Sequence, residues 1–546
     1  MESCKWVLKY VSMLLVFSLR LCSSTSETFN SSLLERVIND TKAMHLNFTA
    51  ISEFRTINRK ILSDCSASNP FISVHVTSNS TLSDEGFVTV TVTGVSNPSK
   101  YDWVAMISPI DSDVDSCLMK EFFYLQTGDT AKLPLLCHYP VKMRLTWVSG
   151  DKKPQQIQYA NGKIATSTVS TFSKTDMCSS FLPSPATDFG WHDPGYIHSA
   201  VMTGLVPLST FSYRYGSDSV GWSKQIMFST PPVGGSDELR FIAFADMGKT
   251  PLDASEEHYI QPGALSVIKA IASDVDSNNI NSVFHIGDIS YATGFLAEWD
   301  FFLYLINRVA SKVSYMTAIG NHERDYINSG STYFTPDSGG ECGIPYETYF
   351  PMPTSAKDKP WYSIEQGSVH FTVISTEHDW SKDSEQYKWM QKDMASVNRQ
   401  KTPWLIFMGH RPMYTSTNGF LASSSNLAEV VEPLLVQNKV DLALFGHVHN
   451  YERTCSVFQH ECKALPTKDK NGVDIYDGRN YSAPVQVVIG MAGFSLDKFP
   501  SSKNSWSLKR ISEYGYIRAH ATRNGLDVEF VVADTKEVKD SFHITK

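Results

Sequence analysis

No apolar stretch of this chain reaches the roughly 20 residues that a membrane-spanning helix needs. No basic run offers a grip on phosphate backbones, and no internal repeat or low-complexity tract stands out. These absences exclude integral membrane proteins, repeat arrays and disordered chains. A formal net charge of -9 removes nucleic acid as a main partner. No lipid-anchor or endoplasmic-reticulum return motif stands at Phe542-His543-Ile544-Thr545-Lys546, so a soluble mature protein without a membrane partner is expected. What is there is 546 residues, 42% hydrophobic and 12% aromatic, a packed globular composition too long for a single core.

The short apolar run that does exist, Val11 to Leu19 after Lys5 and Lys9, reads as an export signal over 1–24, ending in small residues such as Ser23 and Ser24. Export changes how the nine cysteines are read. With Cys4 and Cys22 in the leader, an odd number remains, so at least one is unpaired or bridges to another chain. Cys455 and Cys462 are spaced to staple a small loop, and Cys117 with Cys137 is a second candidate pair. Acceptor sequons at Asn30, Asn39, Asn47, Asn79 and Asn480 fit a secreted glycoprotein, extracellular or in the cell wall, with the vacuole as the alternative.

Patterning divides the rest. Residues 25–65 form a polar extension. From 66 to 232 the text is short alternating segments, such as Ile72–Val76, Phe87–Val92, Met143–Val148 and Phe211–Tyr215, which predict an all-β sandwich. Leu205-Val206-Pro207 followed by Tyr213 resembles a tyrosine corner, while Asp193 and His198 read as turn and surface residues. Pro231-Pro232-Val233-Gly234-Gly235 is a linker. From 236 to 546, apolar runs at 239–244, 283–286, 313–319, 370–374, 404–408, 440–445 and 485–489 alternate with helical spacing around 296–309, 384–394 and 427–435. That alternation predicts an α/β layered domain. A return to β alternation over 517–544 predicts an added hairpin.

Chemistry concentrates in five blocks at the ends of apolar runs: Asp246-Met247-Gly248, Gly287-Asp288-Ile289-Ser290-Tyr291, Gly320-Asn321-His322-Glu323, Gly409-His410 and Gly446-His447-Val448-His449. Taken singly, each has a plain structural reading: Asp, Asn and Gly as turn formers, Tyr291 as packing, a lone His as a hydrogen-bonded core residue. Together they recur where open α/β sheets place their sites, at strand carboxyl ends. On a strand, His447 and His449 at i and i+2 would point to one side. A tyrosine ligand calls for a hard, highly charged ion, and Fe(III) fits best. His285, His370 and His378 have no such company and are assigned to packing or surface.

These five ordered blocks resemble the purple acid phosphatases, within the metallophosphoesterases, in the plant-type long form. The resemblance implies a multidomain chain: an N-terminal all-β fibronectin-III-like sandwich followed by an α/β layered metallophosphoesterase domain. It implies that Asp246, Asp288, Tyr291 and His449 hold Fe(III), that Asp288 bridges, and that Asn321, His410 and His447 complete a site for Zn(II), Mn(II) or Fe(II). His322 would be catalytic, hydrogen-bonding the phosphate or leaving group, and Asn321, His447 and His449 would share substrate binding. The expected reaction is hydrolysis of phosphate monoesters by metal-bound hydroxide at acidic pH, on a phosphorylated small molecule, in a chain compatible with a homodimer.

Two positions depart from the family pattern. Phe407 stands where a valine is usual, a packing change. Gly419 and Phe420 stand where plant members carry two adjacent histidines that bind and protonate substrate, which leaves the leaving-group acid open between His322 and a loop residue such as Tyr414 or Arg411. The alternatives are a phosphodiesterase or nucleotide pyrophosphatase of the same superfamily, and a catalytically weakened secreted binding or storage glycoprotein.

Overall fold

Strand alternation between 141 and 230 folds into two facing sheets. The computed structural model describes residues 141–546 apart from 161, 251–259, 278–279 and 418–424, and upstream only the backbone of the strands Trp6–Val7, Ser18–Leu19, Ser73–Val76 and Val90–Thr93. Apart from the two short strands Trp6–Val7 and Ser18–Leu19, the expected leader lies outside the described residues, as do the extension, four sequons (Asn30, Asn39, Asn47, Asn79), Cys65, Cys117, Cys137, Gly419 and Phe420. Residues 1–140 and 141–546 are separate compact units. In the first, Ser73–Val76 pairs antiparallel with Val90–Thr93, as the alternation there predicts.

In the second unit, one sheet orders Gly221–Trp222, Thr210–Ser217, Gln156–Tyr159 and Lys163–Thr166, and the other orders Val141–Ser149, Tyr196–Leu205 and Thr168–Ser170. Trp147, Ile157, Met202, Tyr213 and Phe228 fill the space between them. Two expectations need correction. Tyr213 makes no tyrosine corner: its hydroxyl donates to the Ser311 carbonyl at 3.0 Å, tying the sandwich to the next domain. His198 is not a surface residue but is buried, stacked on Trp147 and hydrogen-bonded to Ser167 Oγ and the Asp151 carbonyl. Asp193 is a turn residue, accepting from Gly195 N.

After the linker come β1 (Leu239–Phe244), α1 (Ala264–Ser277), β2 (Ser282–Ile286), α2 (Ala297–Ala310), β3 (Ser314–Ala318), β4 (Tyr362–Gln366), β5 (Val369–Val373), α3 (Glu385–Ser396), β6 (Trp404–Gly409), α4 (Ser425–Gln437), β7 (Leu442–Phe445), β8 (Tyr451–Phe458), β9 (Val485–Ile489), β10 (Gly515–Ala521), β11 (Gly525–Val532) and β12 (Val538–Thr545). One sheet runs β3-β2-β1-β10-β11-β12 and continues to Asp474–Asp477 and Thr467–Lys468. The other runs β4-β5-β6-β7-β9-β8 and ends at Glu461–Ala464. β1 to β3 are parallel, and so are β5, β6, β7 and β9.

Burial on both faces explains why these strands read as continuous apolar runs. Phe241, Ala243, Phe284 and Ile286 meet Phe371, Ile406, Met408 and Leu444 between the sheets. Ile242, Phe244 and Val283 pack outward on Val267 and Ile271 of α1 and Trp299 and Phe302 of α2. Leu405, Phe407 and Ala443 pack outward on Met390 of α3 and Leu427 and Val431 of α4. The result is four layers, α-β-β-α. Ser384 caps α3 by accepting from Tyr387 N at 3.0 Å.

The carboxyl-terminal alternation forms a three-stranded meander that lays β10 against β1, not a single hairpin. Cys455–Cys462 is bonded as expected. Cys178–Cys342, a pairing no spacing rule indicates, joins the sandwich to the loop after the Gly-Asn-His-Glu block.

Candidate metal centre

Each of the five blocks begins where a buried strand ends, so the side chains converge on one edge of the two sheets. The turns are tight. Asp246, Asp288, Tyr291 and His447 all take positive φ (+61°, +49°, +52° and +69°), a conformation β-carbon-bearing residues rarely adopt and one that concentrates at functional sites. Glycine is required beside them. A Cβ on Gly287 would sit 2.3 Å from His410 Nδ1, and one on Gly446 would sit 2.7 Å from Asp246 Oδ2.

His447 and His449 do not lie on a strand, because β7 stops at Phe445. Val448 N donates to the Gly446 carbonyl and Asn450 N to the Val448 carbonyl, both at 2.8 Å, so two successive γ-turns carry the pair. The period-two argument therefore fails. The imidazoles still converge, one on each of two clusters.

Ligand atoms of Asp246, Asp288 and His449 lie within 4.8 Å of one another, and so do those of Asp288, His410 and His447. Asp288 belongs to both groups. Tyr291 joins the first: its hydroxyl is 3.2 Å from Asp246 Oδ1 and 3.2 Å from His449 Nε2. Asn321 joins the second, its Oδ1 lying 3.0 Å from His410 Nε2 and 2.9 Å from His447 Nδ1. All seven sequence candidates are thus brought together.

The donor set fits two cations. Burial, with the charges of Asp288 and Asp246, pushes the Tyr291 phenol well above its usual range, so a phenolate there demands a highly charged neighbouring ion. Burial also raises Asp246. Burial works against the charge on Asp288 too, but His410, His322 and His447 outweigh it and hold the carboxyl well below the ordinary range. Burial lowers His410, yet Asp288 and Asp246 raise it to about 10. Buried carboxylates and imidazoles that must neutralise one another are the arrangement a cation relieves. The ring of His410 is set for this: Nδ1 donates to the Ile286 carbonyl at 3.1 Å, which turns Nε2 inward.

His322 stands at the open side, its side chain 20% exposed. Its Nδ1 faces the Asp337 carbonyl at 3.1 Å, which leaves Nε2 towards the site, 3.8 Å from Asp288 Oδ2. Neither proposed substitute for the missing loop histidines reaches this position. Tyr414 is turned away, donating to Glu432 Oε1 at 2.6 Å. Arg411 is buried and bound by Glu377 and Asp325.

The motifs gave no role to several residues that hold the site. Glu323 accepts from Ile289 N at 2.7 Å and Gly320 N at 3.0 Å, pinning two ligand loops; burial and Asp288 push its carboxyl up to about 8. Asp337 Oδ2 accepts from Asn321 Nδ2 at 2.9 Å and so turns the amide oxygen inward. Phe494 stacks on Tyr291 and leans on His449. Lys249 pairs with Glu298 at 2.5 Å beneath the Tyr291 backbone. Of these, only Glu323 stands inside a quoted block.

Residues 239–451 match the calcineurin-like phosphoesterase family, 72–172 the Fn3-like domain from purple acid phosphatase, 138–230 the purple acid phosphatase N-terminal domain, and 483–541 the iron/zinc purple acid phosphatase-like protein C. A probable inactive purple acid phosphatase 27 of Arabidopsis thaliana is 39% identical over 74% of this chain and 67% of its own length. The chain belongs to the purple acid phosphatase family. A nucleotide pyrophosphatase/phosphodiesterase of Hordeum vulgare is 38% identical over 60% of this chain and 88% of its own. A purple acid phosphatase from seeds of yellow lupin (Lupinus luteus) is similar in structure, with TM-score 0.68, 37% identity and coverage of 74% of this chain and 72% of that one. As in other purple acid phosphatases, an Fn3-like domain precedes a metallophosphoesterase domain, and the family implies a dinuclear metal centre and phosphorylated substrates.

Proposed function

We propose that this chain hydrolyses phosphate monoesters at a two-ion centre, with Fe(III) held by Asp246, Asp288, Tyr291 and His449 and Zn(II), Mn(II) or Fe(II) held by Asp288, Asn321, His410 and His447. The observation that carries it is the pair of ligand groups sharing Asp288, with a buried tyrosine hydroxyl on one and an amide oxygen on the other. When bound, the ions supply Lewis-acid charge to the phosphoryl oxygens and acidify water.

The chain's own residues do the rest. His322 Nε2, on the open side, meets the phosphate or the departing oxygen, and the Asp337 carbonyl holds the ring in that orientation. Glu323 fixes the Asp288 and Asn321 loops at one spacing. Asn321, His447 and His449 border the phosphate position. Gly419 and Phe420 remove the two histidines usual in the loop, so His322 carries more of the leaving-group work.

The Arabidopsis relatives named probable inactive make turnover the point to test. Metal content and rates on a monoester, a diester and a nucleotide pyrophosphate, measured on one preparation, decide it. Monoester turnover lost in Asp288→Asn supports the proposal, and inertness at full metal loading contradicts it. A second reading, preference for diesters or nucleotide pyrophosphates, is favoured by the Hordeum relative, and the same rates separate the two. Secretion is proposed from the expected leader, the sequons and the two disulfides among the described residues. Among the described residues, no helix is long and apolar enough to cross a membrane.

A further inference from the structure

Three imidazoles face the two clusters, and what lies behind each ring governs how well it offers a lone pair. A ligating histidine ordinarily directs its other nitrogen at an acceptor, which fixes the tautomer and raises basicity. His410 does so through the Ile286 carbonyl. His449 has a carboxylate behind it, its Nδ1 lying 3.9 Å from Asp497 Oδ2. His447 is reversed. Its Nε2 lies 3.0 Å from Arg411 Nη1, and a guanidinium can only donate. The lone pair of His447 is thereby drawn outward, away from the Asn321 oxygen and the second cluster.

Arg411 has no room to retreat. Nε donates to both oxygens of Glu377, at 3.2 and 2.9 Å, and Nη2 to Asp325 Oδ2 at 2.9 Å. Its guanidinium lies 3.9 Å from the centre of the Tyr333 ring. Arg411 is 1% exposed, and both carboxylates are wholly buried. This bracing holds a permanent positive charge and a donor against the back of one ligand.

We propose that Arg411 is a positioning residue that weakens the hold of the second site on its ion, by claiming the His447 lone pair that the ion needs. The proposal rests on the two-ion reading above, and it assigns to one residue a difference in strength between the sites.

The test is calorimetric titration of Zn(II) into the full chain stripped of all metal ions, iron included. It compares the native protein with Arg411→Met and with the triple variant Arg411→Met/Asp325→Asn/Glu377→Gln, which leaves no buried carboxylate uncompensated. The expected result in whichever variants fold is a second equivalent bound about 10- to 100-fold tighter, with the first unchanged. A second equivalent that is unchanged or weaker in the triple variant, with the first intact, overturns the role of Arg411. A native chain that binds no second equivalent, with variants that bind none either, overturns the two-ion reading and this proposal with it.

Discussion

Replacing Asp337 with alanine should loosen the second ion site and leave the first alone. Asn321 presents Oδ1 to His410 Nε2 and His447 Nδ1, while its Nδ2 donates to Asp337 Oδ2 at 2.9 Å. The two ends of an amide have nearly the same shape, so the partner of Nδ2 decides which end faces inward. Asp337 is itself held by Thr335 Oγ1 at 2.7 Å. A hydrogen bond to a charged group contributes about 1.5–3 kcal/mol, and about 1.4 kcal/mol is tenfold in affinity. Zn(II) binding at the second site should therefore weaken about 10- to 100-fold, the range found for outer-sphere changes. Turnover should fall with it and recover at saturating Zn(II), since the His322 ring is held by the Asp337 backbone carbonyl, which the substitution keeps. Asp337→Asn, which retains an acceptor, should lose less. Titration calorimetry with a monoester assay reads both effects. Affinity within twofold of native in Asp337→Ala would refute this reasoning.

Tyr291→Phe should remove the phenolate-to-iron charge-transfer band of the iron-loaded chain while leaving the fold, because only the hydroxyl facing Asp246 and His449 is lost; a band that persists in the visible spectrum rules the ligand out. Glu323→Ala orphans two buried N–H groups at about 1–3 kcal/mol each, so the midpoint of thermal unfolding should drop by several degrees, and an unchanged midpoint means the two loops are held otherwise. His370 carries a pH signature away from the site. Burial lowers it, but Asp393 and Glu365 outweigh burial and raise it to about 9, above the 6.5 of the unfolded chain. Its contribution, about 3 kcal/mol at most, is full below pH 6.5 and fades as pH rises through about 9. In His370→Gln the loss of thermal stability between those values should shrink, and an undiminished loss contradicts the assignment.

The convergence of the seven ligand candidates was legible because residue type and position coincide: Asp, Asn, Tyr and His immediately after apolar runs are where a layered α/β fold exposes its strand ends. The layered fold was legible for a related reason, since strands buried on both faces and helices with one apolar side leave different periods. Period arguments failed at the strand ends themselves. His447 and His449 sit on γ-turns just past Phe445, where side-chain direction is set by local hydrogen bonds rather than by a pleat. Helix α1, as long as α2, carries the same kind of signal in the helical spacing of Ala264, Val267, Ile268 and Ile271. His198 was misplaced because adjacent residues Ile197 and His198 are both buried, which breaks strict alternation. Apart from Glu323, the supports of the site had no sequence signal. Asp337 reaches Asn321 from a Ser- and Thr-rich loop, and Arg411 meets Asp325 and Glu377 only through the fold. Cys178 and Cys342 are likewise joined across 164 residues of sequence separation.

The most direct measurement is a diffraction experiment on the metal-loaded full chain, with data collected at the iron and zinc absorption edges. Two anomalous peaks should appear on either side of Asp288, iron beside Tyr291 and His449 and the divalent ion beside Asn321, His410 and His447. A single peak, or ions bound away from these side chains, would contradict the account.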